Sequence, residues 1–448
     1  MKFRKFGKAL LISAVSAGAV LSVTSCVQSY TVGYLYVTGN QTSGSNANAA
    51  GIISGFKIDH NTGNLVSIHG LPIASGGANP GRAVLLTGSR FLYVLNRGVN
   101  AEGGSDCTTT DPCTGANITQ FAVGGNGVLS QQETFYPQGL NSMRLIGDSS
   151  GNFLYVLDHD SPSASSCSLA LGAGVNACGD ITAYQVNQST GRLTLIVNAQ
   201  VTSASGAALP YFPVPANPID FTIASGYIET LSGTSTTGDS VFPYTFSSSS
   251  GQLTVNQNSA QPLGIFAGTG LVYGGGYMYV MDNEPITIAA GGAFPAGVYN
   301  GQILPFSVGT NGALQAQTGG AVPDDPTESN PIYMVVESKG KWVYVANQGN
   351  NTSTTNTQSG IVGYVLDPST HQLTFMSGSP FGSGAGPQCM LEDPSDQFIY
   401  TANFNDSTVT GRVADQNSGV LNNLPGKANH SFTLPGAAAW CVVSGRTS

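Results

Sequence analysis

Hydrophobic positions in this chain come in short runs divided by stretches of Gly, Asn, Ser and Thr, and one run recurs along the whole length. It reads Tyr34-Leu-Tyr-Val37, Phe91-Leu-Tyr-Val94, Phe153-Leu-Tyr-Val156, Tyr277-Met-Tyr-Val280, Trp342-Val-Tyr-Val345 and Phe398-Ile-Tyr-Thr401, with a degenerate copy at Tyr227-Ile-Glu-Thr230. Successive copies lie 57, 62, 74, 50, 65 and 56 residues apart. Runs this short, bounded by turn residues and rich in aromatic and β-branched side chains, predict buried strands rather than helices.

Each copy opens the same local sequence. A second apolar run follows, such as Asn117–Val123 or Ile181–Val186, and then a tight turn such as His60-Asn-Thr-Gly63 or Gln188-Ser-Thr-Gly191. Gly and Asn tolerate the positive φ that tight hairpins demand. A third strand starts at Leu65, Leu129, Leu193, Leu253, Leu314, Leu373 or Leu421, and a fourth begins near Pro80, Pro218, Pro331 or Pro387. A unit of some sixty residues repeated seven times predicts an all-β fold: a seven-bladed β-propeller of four-stranded antiparallel blades. The first unit lacks its proline-led strand and the C-terminus has a spare one, 436–443. The C-terminal strand is therefore expected to join the first blade and close the ring.

The first residues point to export. Lys2, Arg4, Lys5 and Lys8 precede an uncharged stretch from Ala9 to Val23, which is too short to be a stable membrane span and reads as a signal peptide. Val23-Thr24-Ser25-Cys26 resembles a bacterial lipobox with Cys26 as the lipidated residue. The expected organisation is a signal over 1–25, a lipidated tether over 26–33 and one propeller over 34–448, held at the cell envelope and facing the periplasm or exterior. Removing the signal leaves 11 basic residues against 24 acidic ones, a net charge of −13. So few cations argue against nucleic acid as a partner. The membrane is met only through the anchor, and a monomer is the favoured state. The six remaining cysteines, Cys107, Cys113, Cys167, Cys178, Cys389 and Cys441, suit disulfides in an exported chain, although six cysteines allow 15 pairings. Local pairs 107–113 and 167–178 are expected, and Cys389 with Cys441 is a candidate staple between neighbouring inner strands.

The "YV-N" strand and the Asp59-to-Leu65 hairpin resemble the YVTN-type repeats and the seven-bladed lactonase family, which includes 6-phosphogluconolactonases. The resemblance implies lactone hydrolysis, carried in that family by a Pro-Arg-His motif on an inner strand with a Glu and further Arg residues. Here Pro80 is followed by Gly81 and Arg82, Pro218 by Ile219 and Asp220, Pro331 by Ile332 and Tyr333, and Pro387 by Gln388 and Cys389. No copy has the Arg-His pair, so Arg82 and Arg144 are the only catalytic candidates and no base is assigned.

Two loop sets, after the aromatic strand and after the third strand, are long and irregular and share one face of the disc, where binding residues usually reside. Polar residues leave the aromatic strands on that side: Asn96 and Arg97, Asp158, His159 and Asp160, Asp282 and Glu284, Asn347, and Asn403. Such a rim suits a sugar or Ca²⁺, and no transition-metal site is assigned because His159 has no second His or thiolate nearby. The leading expectation is a binding or scaffolding module that uses this long-loop face for an envelope protein or glycan. The alternative is a lactonase-like hydrolase acting on an extracellular lactone or sugar derivative.

Overall fold

The protein is described by a computed structural model over residues 30–41, 50–86, 88–99, 114–203, 205–234, 236–255, 260–291, 294–349, 358–426 and 431–445. Seven antiparallel sheets form a closed ring, and each inner strand packs against the next all the way round. From the channel outward, the second blade runs Pro80–Leu86, Phe91–Asn96, Asn117–Val123 and Leu129–Phe135, and the others repeat this order. Four inner strands start at the prolines picked out by sequence: Pro80, Pro218, Pro331 and Pro387.

The ring closes as expected. Trp440–Gly445 pairs antiparallel with Thr31–Asn40, from Thr38 opposite Trp440 to Gly33 opposite Gly445. The closing strand starts at Trp440 rather than at residue 436, because the backbone of Gly436 and Ala437 crosses against Asn40 and Gly39 with no room for a Cβ on either glycine. A Cys389–Cys441 disulfide joins this strand to the inner strand of the seventh blade, Pro387–Glu392. It spans 52 residues, and loop-closure entropy for a span of that size is worth about 4 kcal/mol. The Cys167–Cys178 bridge also forms, and it anchors one short helix, Ala164–Leu171, that the hydrophobic pattern does not predict. Cys26, Cys107 and Cys113 lie outside the described residues.

The recurrent tyrosine explains how neighbouring blades are fastened. Its hydroxyl donates to a glycine carbonyl in the hairpin of the following blade: Tyr36 to Gly127 at 2.8 Å, Tyr93 to Gly191 at 2.5 Å, Tyr155 to Gly251 at 3.0 Å, Tyr344 to Gly419 at 2.6 Å and Tyr400 to Gly63 at 2.6 Å. These phenols are fully buried, and burial raises their pKa well above the ordinary value. The acceptor glycines have φ between +66° and +81°, and a Cβ there would strike an aromatic ring or a close-packed side chain of the adjoining blade. The turn glycine and the strand tyrosine are thus two halves of one contact between blades.

Candidate functional site

Seven inner strands bring seven equivalent positions, six side chains and a glycine, to one level of the channel. The aromatic-strand register gives the set: Trp440 opposite Thr38, Arg144 opposite Leu157, Asp220 opposite Leu231, Gly270 opposite Met281, Tyr333 opposite Ala346 and Cys389 opposite Ala402. Arg82 takes the place in the second blade, inside a bulge between Pro80 and Ala83. Similar irregularities follow Pro218, Pro331 and Pro387, so the bulge is a repeated device that re-aims the side chain two residues after the proline.

Asp220 organises this tier. Arg82 donates from Nη2 to Asp220 Oδ2 at 2.9 Å, and Asp220 Oδ1 lies 2.8 Å from the same nitrogen in ion contact but outside hydrogen-bonding geometry. The Arg144 Nε is 3.8 Å from Oδ1, and the Leu271 amide donates to Oδ2 at 3.1 Å. The Asp220 side chain is 2% exposed, against 12% for Arg82 and 24% for Arg144. Gly270 leaves the space this carboxylate needs, since a Cβ there would sit 3.2 Å from Oδ2 and 3.0 Å from the Met281 methyl. The Arg82 guanidinium also lies over the Trp440 ring at 4.7 Å, and Tyr333 meets that ring edge-on at 5.1 Å between centroids. Burial raises the Tyr333 pKa, keeping its phenol protonated. Arg82 Nε is buried without an acceptor.

Two residues further along each strand is a second tier: Val84, Ile146, Thr222, Val272, Val335, Leu391 and Val442. Six of these are aliphatic, so the channel passes from a charged tier to an apolar one. A cavity of about 580 Å³ occupies this region. Arg82, Tyr333 and Trp440 form its inner end, and it reaches the short turns at Gly88–Ser89 and Asp148–Gly151. That is the face opposite the long loops.

The polar rim residues need correction. The sequence places them on an exposed face, but Asn96, Asp158, Asp282, Asn347 and Asn403 are all fully buried, and Arg97 is 4% exposed. Each lies at or beside the end of an aromatic strand, near the start of the inner strand, and its side chain meets polar groups there. Asn96 donates to Asn117 Oδ1 at 2.9 Å, Thr119 Oγ1 at 3.1 Å and the Ser75 carbonyl at 3.1 Å. Asn403 donates to Thr408 and Thr410, both at 3.0 Å, and Asp282 accepts from Gln302 at 2.8 Å. Asn347 faces Asp324, and Arg97 reaches the Ser142 carbonyl at 3.4 Å. Asp158 accepts from Thr182 at 3.0 Å, from the Gly139 amide at 3.2 Å and from Ser142. Burial pushes Asp158 up to about 6, and burial together with the Asp158 charge raises Asp180 well above the ordinary carboxylate range. His159 and Asp160 remain partly exposed with Nδ1 to Oδ1 at 3.1 Å, and Glu284 is half-buried. Among the described residues, no three His, Cys, Asp or Glu side chains are placed to hold a metal ion.

Sequence reading named Arg82 and Arg144 but overlooked Asp220, Tyr333 and Trp440. The signal was present, because Asp220 and Tyr333 stand two residues after the inner-strand prolines, as Arg82 does.

Among the known proteins, residues 300–437 match the family described as "Lactonase, 7-bladed beta-propeller". The periplasmic gluconolactonase of Pseudomonas aeruginosa superposes with a TM-score of 0.61 at 16% identity, covering 93% of this chain and 100% of that one. The chain has the fold of the seven-bladed lactonase propellers. A candidate 6-phosphogluconolactonase of Bacteroides fragilis is similar at a TM-score of 0.61 and 14% identity, over 92% of this chain and 98% of that one. One from Bacteroides uniformis gives 0.62 at 12% identity, over 92% and 100%. No curated protein matches. The charged tier of this seven-bladed propeller has no histidine, and its carboxylate is Asp220.

Proposed function

We propose that this propeller is an exported, lipid-anchored hydrolase that opens a lactone in its central channel. The observation that carries the reading is the Arg82–Asp220–Arg144 cluster, which puts two guanidiniums and one carboxylate on a single tier, with Arg82 lining the cavity. Lactone opening requires stabilisation of a developing oxyanion and an acceptor for the proton of the attacking water. Arg82, which lines the cavity, offers its guanidinium to the carbonyl oxygen. Asp220 Oδ1 accepts no hydrogen bond and takes the water proton as the water oxygen bonds to the carbonyl carbon. When the tetrahedral adduct collapses, the ring C–O bond breaks and that proton passes to the departing alkoxide. The product is a hydroxy acid, which loses its acid proton to water, and the carboxylate remains beside Arg82.

A binding or scaffolding role on the long-loop face has less behind it. Most of its proposed contact residues are spent inside the blades, whereas the cluster and cavity lie in the channel. The test is lactone turnover by the purified mature chain, compared with Arg82→Ala. Loss of one oxyanion donor should lower kcat by about 10²-fold or more. Equal turnover by both proteins would place the chemistry elsewhere, and an inactive wild type on every lactone offered would remove the hydrolase reading.

A further inference from the structure

The charged tier and the tier above it restrict which lactone fits. Arg82 and Arg144 carry two positive charges and Asp220 one negative charge, leaving one positive charge in excess. One charge matches the oxyanion of ring opening and the carboxylate of the product. It leaves nothing for a phosphate, which brings up to two further negative charges that would be desolvated without partners. Beyond Arg82, no cationic side chain lines the cavity among the described residues. Next to Arg82 its wall is instead Val84, Ile146, Leu391 and Val442 of the second tier, with Leu86 and Val443 beside them, and the polar side chains of Ser89, Asp148, Ser149 and Ser150 line it only at the turns of the far end. A polyhydroxylated sugar lactone set against this wall would lose hydrogen bonds to water and find few replacements.

From this, and resting on the hydrolase reading above, we propose that the substrate is an unphosphorylated lactone carrying a linear aliphatic chain. The lactone carbonyl meets Arg82 beside Trp440, and the chain runs along the second tier toward the short turns at Ser89 and Ser149. Arg82 and Leu86 are four residues and roughly 13 Å apart on one strand, and the apolar wall takes up the last half, from Val84 to Leu86, roughly 7 Å, enough for a chain of about five methylenes. Val84 and Val442 are specificity-determining positions in this arrangement, because they sit directly above the charged tier in neighbouring blades.

The test uses the mature chain with γ-butyrolactone, γ-octalactone, γ-decalactone and glucono-δ-lactone, together with calorimetric binding of 4-hydroxybutanoate and 4-hydroxydecanoate. The expected kcat/KM rises about fourfold per added methylene until the cavity is filled, and glucono-δ-lactone is the poorest substrate relative to its uncatalysed opening. Val84→Thr and Val442→Thr keep side-chain shape, and each should lower kcat/KM for γ-decalactone about tenfold while leaving γ-butyrolactone within twofold. A flat chain-length series, or preference for glucono-δ-lactone, would overturn the aliphatic assignment while leaving the hydrolase reading intact. Conversely, no turnover of any lactone with 4-hydroxydecanoate still bound far more tightly than 4-hydroxybutanoate would support the apolar site and remove the hydrolase. If the two hydroxy acids bind equally, the apolar site is refuted whatever the turnover.

Discussion

Blade four breaks the tyrosine contact, and the break should be visible as a pH dependence of stability. Where five blades place the tyrosine that bonds a glycine carbonyl in the next hairpin, the fourth places Glu229. Its carboxyl is fully buried, accepts no hydrogen bond at either oxygen and lies against Gly312, where a Cβ would be 2.8 Å from Oε1. Burial raises its pKa from 4.5 to about 8. The folded protein thus holds a proton on this residue that the unfolded chain releases at lower pH. Stability from the protonated form is fully present below about pH 4.5, declines as pH rises and is lost once pH passes 8. At about 1.36 kcal/mol per pKa unit, the upper bound on the loss is roughly 5 kcal/mol. With an unfolding entropy of about 2.1 cal/mol/K per residue, a chain of this size loses about 1 °C of Tm per kcal/mol, so the whole effect is at most about 5 °C. The comparison is thermal melting of wild type and Glu229→Gln from pH 5 to pH 9, because glutamine keeps the shape and removes the titration. The variant's Tm relative to wild type should climb by a few degrees between those limits. Parallel profiles would refute the argument, since the other buried acids, such as Asp324 and Glu328, titrate equally in both proteins.

Other outcomes follow from the same geometry. Replacing Cys389 and Cys441 together by Ser should cost about 4 kcal/mol of stability, seen as a drop in Tm, and reductant should then lower the Tm of the variant, which keeps only the Cys167–Cys178 bridge, by less than that of the wild type. Asn96→Leu strands the Asn117 and Thr119 side chains and the Ser75 hydroxyl, and should destabilise by about 2–3 kcal/mol in urea while leaving lactone kcat/KM unchanged. Arg144→Ala should reduce lactone turnover less than Arg82→Ala, because Arg144 stands 3.8 Å from Asp220 against 2.8 Å for Arg82, and only Arg82 of the two lines the cavity.

The strands were legible because their signal is local. An aromatic at fixed phase, a glycine hairpin and an initial proline suffice to count blades, and ring closure followed from one missing strand and one spare. The site was less legible because its members are assembled by register. Arg82 and Asp220 are 138 residues apart, and only the shared position two residues after an inner-strand proline relates them. The rim failed for a different reason. Asn96, Asn347 and Asn403 look like surface residues by type, but a strand end facing a proline, which has no N–H to offer, lacks part of its backbone pairing, and the polar side chain turns inward to complete it. A polar residue at the end of a central blade strand is first a hydrogen-bonding partner for its own sheet. Charged residues on the inner strand have no such duty, and their burial next to a cavity is the better marker of a site.

The central claim is that ligand chemistry resides in the channel rather than on the long-loop face. A crystal structure of the mature chain with 4-hydroxydecanoate tests it most directly. The prediction is density for a carboxylate within hydrogen-bonding distance of Arg82, with the chain passing Val84 and Val442 toward Ser89. Density for the ligand among the long loops, with the Arg82–Asp220 pair undisturbed and the channel holding only water, would contradict it.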